Sequence, residues 1–255
     1  MTWRENYKEK SAFTKVRHAE NGYSRRLRKL AQHVHDLIYD FITTEEYPNN
    51  LSQLVILLER YANIVEPWAR SVATRWVAEV ARRDEKAWNS YTKNLSFGIQ
   101  QEIQSAPVGE MLREFLEEQV QLITSLPLEA AQRVHQLALG NLYGGARAEE
   151  LSEHILETGN ISKNRATTIA RTETARVSSA LTMFRAQAIG SEGYIWRSVL
   201  DFKTRSSHRA MEGKFIRWDS PPEVEPGKFY HAGQYINCRC FADVQIPDKY
   251  LAKAA

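Results

Sequence analysis

Cysteine is scarce in this chain: its 255 residues contain two, Cys238 and Cys240, one residue apart. A bridge between them would close only a very small, strained loop, which argues against a mutual disulfide. Long apolar runs are missing as well. No stretch of about 18 apolar residues occurs, which excludes a membrane-spanning helix. The opening MTWRENYKEK has no apolar segment behind its charges, so it does not read as a signal peptide and cytosolic synthesis is expected. Charge of one sign is not in excess either: the net charge is +3, so the whole molecule is no polycation and any nucleic-acid contact must use a local basic face. There is no Gly-x-x-x-x-Gly-Lys phosphate loop and no Gly-x-Gly-x-x-Gly fingerprint, which leaves nucleotide-dependent chemistry without support. With 43% hydrophobic and 25% charged residues, what remains is an ordinary globular composition, long enough for one large domain or two smaller ones.

The first 190 residues read as helices. From about Ser11 a long helix is expected, with Tyr23, Leu27, Leu30, Val34, Leu37 and Phe41 at alternating spacings of four and three, a seam for packing on other helices. Arg25, Arg26, Arg28 and Lys29 cluster beside it, either as a solvated face or as a contact for DNA or an acidic protein surface. Tyr47-Pro48-Asn49-Asn50 breaks the pattern. A second helical region runs from about Leu51 to Gln104, with Leu54, Leu57, Leu58, Tyr61 and Ile64 expected on one face, a kink or restart at Pro67, and a stripe of Trp68, Val72, Trp76 and Val80 continuing to Trp88, Tyr91 and Leu95. Such a stripe predicts core or subunit interface. A third helix is expected to open at Ser105-Ala106-Pro107 and to break at Leu126-Pro127; a shorter one ends at Gly144-Gly145. Two more follow: one stopping at Thr158-Gly159-Asn160, the next capped by Ser162 and ended by Gly190.

Beyond Gly190 the period changes from helix to strand. Tyr194, Trp196 and Ser198 alternate with Ile195, Arg197 and Val199. Asp201 to Ser207 reads as a polar loop, Glu212-Gly213-Lys214 as a hairpin tip before a short strand Phe215–Trp218, and Phe241–Ile246 as a final strand. The expected fold class is α+β. Long antiparallel helices form a partner-binding region over residues 1–126, and a second domain over 127–250 has helices to about 190 and short strands after it.

One order of residues is more specific than any single motif. Ile169-Ala170-Arg171-Thr172-Glu173-Thr174 leads into Trp196, Asp201, Thr204-Arg205-Ser206-Ser207-His208, Gly213, Pro226-Gly227 and Asn237-Cys238-Arg239-Cys240. Over roughly residues 130–246 this resembles the head-morphogenesis domain of the phage Mu F-like minor head proteins. The resemblance implies a minor capsid protein of a tailed double-stranded DNA phage, made in the host cytoplasm and housed in the virion, inside the head near the portal vertex. It implies the portal protein and the capsid interior as partners; the basic cluster Arg25, Arg26, Arg28 and Lys29 adds packaged DNA as a candidate second contact, and neither a membrane nor a small-molecule substrate is expected. It also implies a role in head assembly or DNA delivery rather than catalysis. Many relatives carry a Cys-x-x-Cys just after the Asp and a His-Pro before Asn-Cys-Arg-Cys; here Arg205 and His208 replace the first pair and Tyr235-Ile236 the second.

His208, His231, Cys238 and Cys240 alone have metal-ligand character, and four N or S donors are what a tetrahedral zinc site needs. Their spacing is unfavourable, because a Cys-x-Cys in a strand holds its side chains on one face about 7 Å apart. The thiols then pack as small apolar groups, no cofactor is required, and His208 is expected to bond Asp201 or Asn237. The competing enzyme reading is a nucleic-acid-acting, metal-dependent hydrolase built on Asp201, His208, Asn237 and the Cys pair, or a Cys nucleophile with His208 as base. A zinc nucleobase deaminase is excluded, since it needs His-x-Glu and Pro-Cys-x-x-Cys. Asp201, Thr204, Arg205 and His208 read equally well as a structural knot, with Arg171 and Glu173 pairing to the small domain.

Overall fold

A computed structural model of the chain describes residues 17–44, 47–91, 108–144 and 147–250. Among the described residues four long helices come first: α1 Arg17–Ile42, α2 Leu51–Tyr91, α3 Gly109–Gly144 and α4 Ala148–Ala188. Then follow β1 Gly193–Arg197, a short α5 Ser206–Ala210, β2 Phe215–Arg217, β3 Glu223–Glu225, β4 Lys228–Phe229, β5 Phe241–Val244 and a 3-10 turn at Asp248–Tyr250. The fold is α+β, as the change of period predicts. The expected helix start at Ser11, the continuation through Leu95, the opening at Ser105-Ala106-Pro107 and the stop at Gly145 lie outside the described residues. Among the described residues no helix is long and apolar enough to cross a membrane.

The chain forms two compact units, one of Asn21–Trp76 with Arg113–Ala170, the other of Met1–Glu20, Val77–Leu112 and Arg171–Ala255. The 126/127 boundary expected from the sequence falls inside α3. In the first, helical unit Tyr23, Leu27, Leu30, Val34 and Ile38 of α1 are buried, and Val34 and Ile38 share one core cluster with Leu54 and Leu58 of α2, Val134 of α3 and Ile155 of α4. Tyr23 stacks on Trp76 with ring centroids 4.6 Å apart and donates its hydroxyl to Gln119 at 2.9 Å. His33 Nδ1 meets Tyr61 Oη at 3.2 Å. These two contacts fix an antiparallel register of α1 on α2.

Several expected breaks and faces do not occur. Leu54 and Leu58 are buried, but Leu57 and Ile64 are 40% and 73% exposed and Trp68 38%, so α2 carries two apolar stripes rather than one. Pro67 sits inside α2 on its exposed side. Pro127 sits inside α3, and around the interrupted ladder Thr124 and Ser125 donate their hydroxyls to the carbonyls of Val120 and Leu122. Gly159 does not end a helix: α4 runs through it, and the position has no room for a side chain, since a Cβ there would lie 2.2 Å from the His35 ring. Ser162 is mid-helix and donates to Thr158 O at 3.0 Å instead of capping.

In the second unit β1 is the middle of an antiparallel sheet ordered β2-β1-β5, with Tyr194 opposite Ile216 and Val244, and Trp196 opposite Ala242. Tyr194, Trp196 and Ser198 point inward, as their alternation predicts, and pack with Trp88, Trp218, Val224, Ala232, Tyr235 and both cysteines. Gly193 lets β2 approach, since a Cβ would stand 2.2 Å from Ile216 O. Gly213 turns with φ +78, its N–H donating to Trp196 O. The β3-β4 hairpin and α5 fall in stretches that read as loop from sequence. Buried Arg185 and Asp84 pair at 2.8 Å between α4 and the end of α2.

Candidate functional site: a buried histidine and two thiols

Three segments of the second unit converge behind β1: the loop and helix α5 that follow it, and the turn preceding β5. α5 presents His208 inward, 2% exposed. The helix is locked to the strand by Ser198, whose hydroxyl donates to His208 O at 2.8 Å and accepts from Trp196 Nε1 at 3.2 Å. The Trp196 and His208 rings meet edge to face, centroids 5.6 Å apart.

The cysteines are not on a strand. They sit in the irregular turn ahead of β5. Asn237 takes a left-handed φ of 56, which Asn tolerates, and its N–H donates to Thr172 Oγ1 of α4 at 3.1 Å. Cys238 N–H then bonds Tyr235 O at 2.9 Å and Cys240 N–H points at Cys238 Sγ at 3.4 Å. This turn brings the thiols together where an extended strand would hold them apart. His208 Nδ1 lies 3.4 Å from Cys238 Sγ and 3.5 Å from Cys240 Sγ, and all three donor atoms fall within 4.8 Å of one another. The Cys240 thiol, donating toward Cys238, draws the latter toward thiolate against the opposing effect of burial; His208 adds to the pull. The same hydrogen bond and burial push Cys240 far up, so the two sulfurs release one proton readily and hold the other.

Asp201 does not face this cluster. Its carboxylate takes both ends of the Arg239 guanidinium at 2.5 Å, the backbone N–H of Lys203 at 3.0 Å and the Thr204 hydroxyl at 3.1 Å, while Arg209 donates to its carbonyl at 2.8 Å. The Arg239 hydrogen bond is the chief reason that its carboxyl is held well below the usual range. The bond expected between His208 and Asp201 or Asn237 is replaced by these contacts. Arg205 lies over the Tyr235 ring, 5.1 Å to its centroid, and 3.7 Å from Glu225. His231 is buried elsewhere: Nδ1 meets Tyr194 Oη at 3.3 Å and Nε2 meets Trp218 O at 3.1 Å, and burial lowers its pKa. Both its ring nitrogens are in use, so the four-donor set reduces to three. Arg171 pairs with Glu20 at 3.4 Å, Glu173 accepts from Arg176 on the same helix, and Thr172 accepts the Asn237 N–H, which ties α4 to the Cys turn. Arg25, Arg26, Arg28 and Lys29 are all exposed on α1.

Ser198, Thr172, Arg239 and Tyr235 are the site residues that the sequence left unmarked as such. The alternation of β1 marks Ser198 as inward-facing, and Arg239 stands between the cysteines; both signals were present. Behind the cluster lies a cavity of about 20 Å³ lined by Val199, Lys203, Thr204, Arg205, Asn237 and Arg239. Its size suits one water or a single ion.

Residues 132–242 match the family described as Phage Mu protein F like protein, so this segment is similar to the phage Mu F-like proteins. It is 26% identical over 175 residues to the minor head protein GP7 of Bacillus phage SPP1, covering 62% of this chain and 54% of that one. It is 30% identical over 128 residues to an uncharacterized protein of Haemophilus influenzae, covering 50% of this chain and 27% of the other. It is 29% identical over 122 residues to the NAD(+)–arginine ADP-ribosyltransferase EFV of Enterococcus faecalis, covering 44% of this chain and 25% of that protein. The chain thus spans from a quarter to about half the length of these relatives. No solved structure matches it significantly.

Proposed function

We propose that the chain is a minor head protein of a tailed double-stranded DNA phage, which binds a capsid component (the portal or the inner shell) and assists head assembly or DNA delivery. The observation that carries this reading is the family segment at 132–242 together with the similarity to the SPP1 minor head protein. Its role is structural. The enzyme alternative needs Asp201 beside His208 and the thiols, whereas the Asp201 carboxylate is engaged by Arg239.

The surface that supports a protein partner is the second apolar stripe of α2. Leu57, Tyr61, Ile64 and Trp68 follow at spacings of four, three and four, the seam by which one helix receives another. The exposure of Ile64 alone is 73%. The antiparallel register places Arg26 and Lys29, seven and four residues before His33, along one border of this stripe. Arg60 and Arg75 border it on α2 itself. Exposed Asp36 and Asp40 continue the same edge of α1, so the seam has mixed-charge margins and suits an amphipathic helix of a protein partner.

The full chain, co-expressed with the portal and shell proteins of its phage, should co-purify with one of them. Ile64→Glu with Trp68→Glu should reduce capture at least tenfold while the far-ultraviolet spectrum and melting temperature stay unchanged. Unchanged capture by the folded double variant removes the seam from this role. Nuclease activity abolished by His208→Ala, with assembly intact, would replace the structural reading by the enzymatic one.

A further inference from the structure

We propose that Cys238, Cys240 and His208 hold one thiophilic divalent ion, with zinc the ion whose preferences they meet, and with the fourth position opening into the cavity lined by Lys203, Thr204 and Asn237. The first support is distance. Zinc bonds of about 2.3 Å to sulfur and 2.05 Å to nitrogen at tetrahedral angles place S and N about 3.6 Å apart. The two observed S···Nδ1 separations are 3.4 and 3.5 Å. The second is that the donors converge on one point from two segments, α5 and the turn before β5, each fixed by contacts of its own: Ser198 on His208 O, Thr172 on Asn237 N–H and Tyr235 O on Cys238 N–H.

The third support is chemical isolation. All three donors are buried, and neither candidate competitor is available to complete or divert the set: Asp201 is taken by Arg239 and both nitrogens of His231 are bonded elsewhere. His208 Nε2 is buried with no hydrogen-bond partner, so every polar contact of this ring is on the Nδ1 side, where the sulfurs are. The fourth support is room. A cavity of about 20 Å³ abuts the donors, enough for the single water that completes a three-ligand zinc site. Two thiolates balance the ion's double charge, so a neutral site forms in a buried place. Bound there, the ion ties the segment after β1 to the segment before β5, which no backbone ladder joins directly, and its binding energy becomes folding energy.

The test uses the full-length chain purified under reducing conditions. Elemental analysis should give one equivalent of zinc per chain, and adding cobalt to the chelated protein should produce thiolate-to-metal charge-transfer absorption saturating at one equivalent. Cys238→Ser with Cys240→Ser should lose both signals, whereas His231→Asn, which disturbs a buried histidine outside the cluster, should keep them. Where the double variant fails to fold, the cobalt titration of the unaltered chain decides. Zinc well below one equivalent together with no thiolate band on cobalt addition overturns the proposal. Retention of the full equivalent by the folded double Ser variant overturns it too, by placing the metal elsewhere.

Discussion

At the scale of single residues, Arg239 and Asp201 carry the most consequence. Asp201 holds its proton less tightly in the folded chain than in the unfolded one, because the Arg239 guanidinium, the Thr204 hydroxyl and the Lys203 N–H all favour the carboxylate. A depressed folded pKa means the stabilisation is complete above the unfolded value of about 3.9 and is lost as pH falls below it, since only the unfolded state then takes up the proton. Asp201→Asn should therefore flatten the decline of the urea midpoint between about pH 4 and pH 2 and lower the midpoint at pH 7. An identical acid slope in both proteins would show that the pair does not couple to folding. The residue types of this site were legible in the sequence; their partners were not. Asp201 reads as an acceptor for an arginine, yet Arg205 is closer along the chain, and only the turn before β5 delivers Arg239 to it. The cysteines misled for the same reason. Their one-residue spacing speaks against a joint site if the backbone is extended, and the left-handed Asn237, which breaks that extension, leaves no periodic trace.

Among the elements, local punctuation was weighed too heavily. Pro127 and Gly159 are helix breakers by intrinsic preference, and each stands inside a continuous helix because tertiary packing outweighs a local cost. Gly159 shows this most sharply. Glycine within a helix normally costs about 1 kcal/mol relative to alanine, so Gly→Ala should stabilise. Here the added methyl would lie 2.2 Å from His35 Nδ1 and 2.7 Å from its Cβ, atoms too near the backbone to swing away. Gly159→Ala is expected to destabilise by about 1–3 kcal/mol, as overpacking does, and His35→Ala in the same chain to restore much of the loss. Chemical denaturation of the three variants measures both; a more stable single variant would mean that the helices part at no cost. Where the pattern was long and two-sided it sufficed. The inward run Tyr194, Trp196, Ser198 predicts β1, because a half-buried strand writes its period into the residues. The hairpin β3-β4 has strands of three and two residues, too short to write any period at all.

For the whole molecule, the balance of charge hides a local asymmetry. The net +3 is small, but Arg25, Arg26, Arg28 and Lys29 lie exposed within two turns of α1. Of these, Arg25 and Arg28 point away from the apolar stripe of α2 that Arg26 and Lys29 border, so they are the two suited to a polyanion. If the full chain also contacts packaged DNA, each phosphate it neutralises contributes about −0.9 to the slope of log affinity against log salt. Arg25→Glu with Arg28→Glu should make that slope shallower by about 2, measured by fluorescence anisotropy over a salt series. A slope untouched by the pair assigns DNA contact to another face. The fold class of the molecule was legible from its switch of period near Gly190. The two-stripe character of α2 was not, because an exposed Ile64 and a buried Val65 are equally apolar on the page.

Arg239 also has a meaning for how this segment tolerates change. Its guanidinium is partly in solvent, its side chain 27% exposed, yet the residues on either side of it are buried in the core. By exposure it ranks with the surface positions that accept almost any substitution; by its neighbours it is the middle of a three-residue pivot with one arm outward and two arms inward. Random mutagenesis should therefore score position 239 among the intolerant sites, beside the tryptophans, and a survey guided by accessibility alone would discard it.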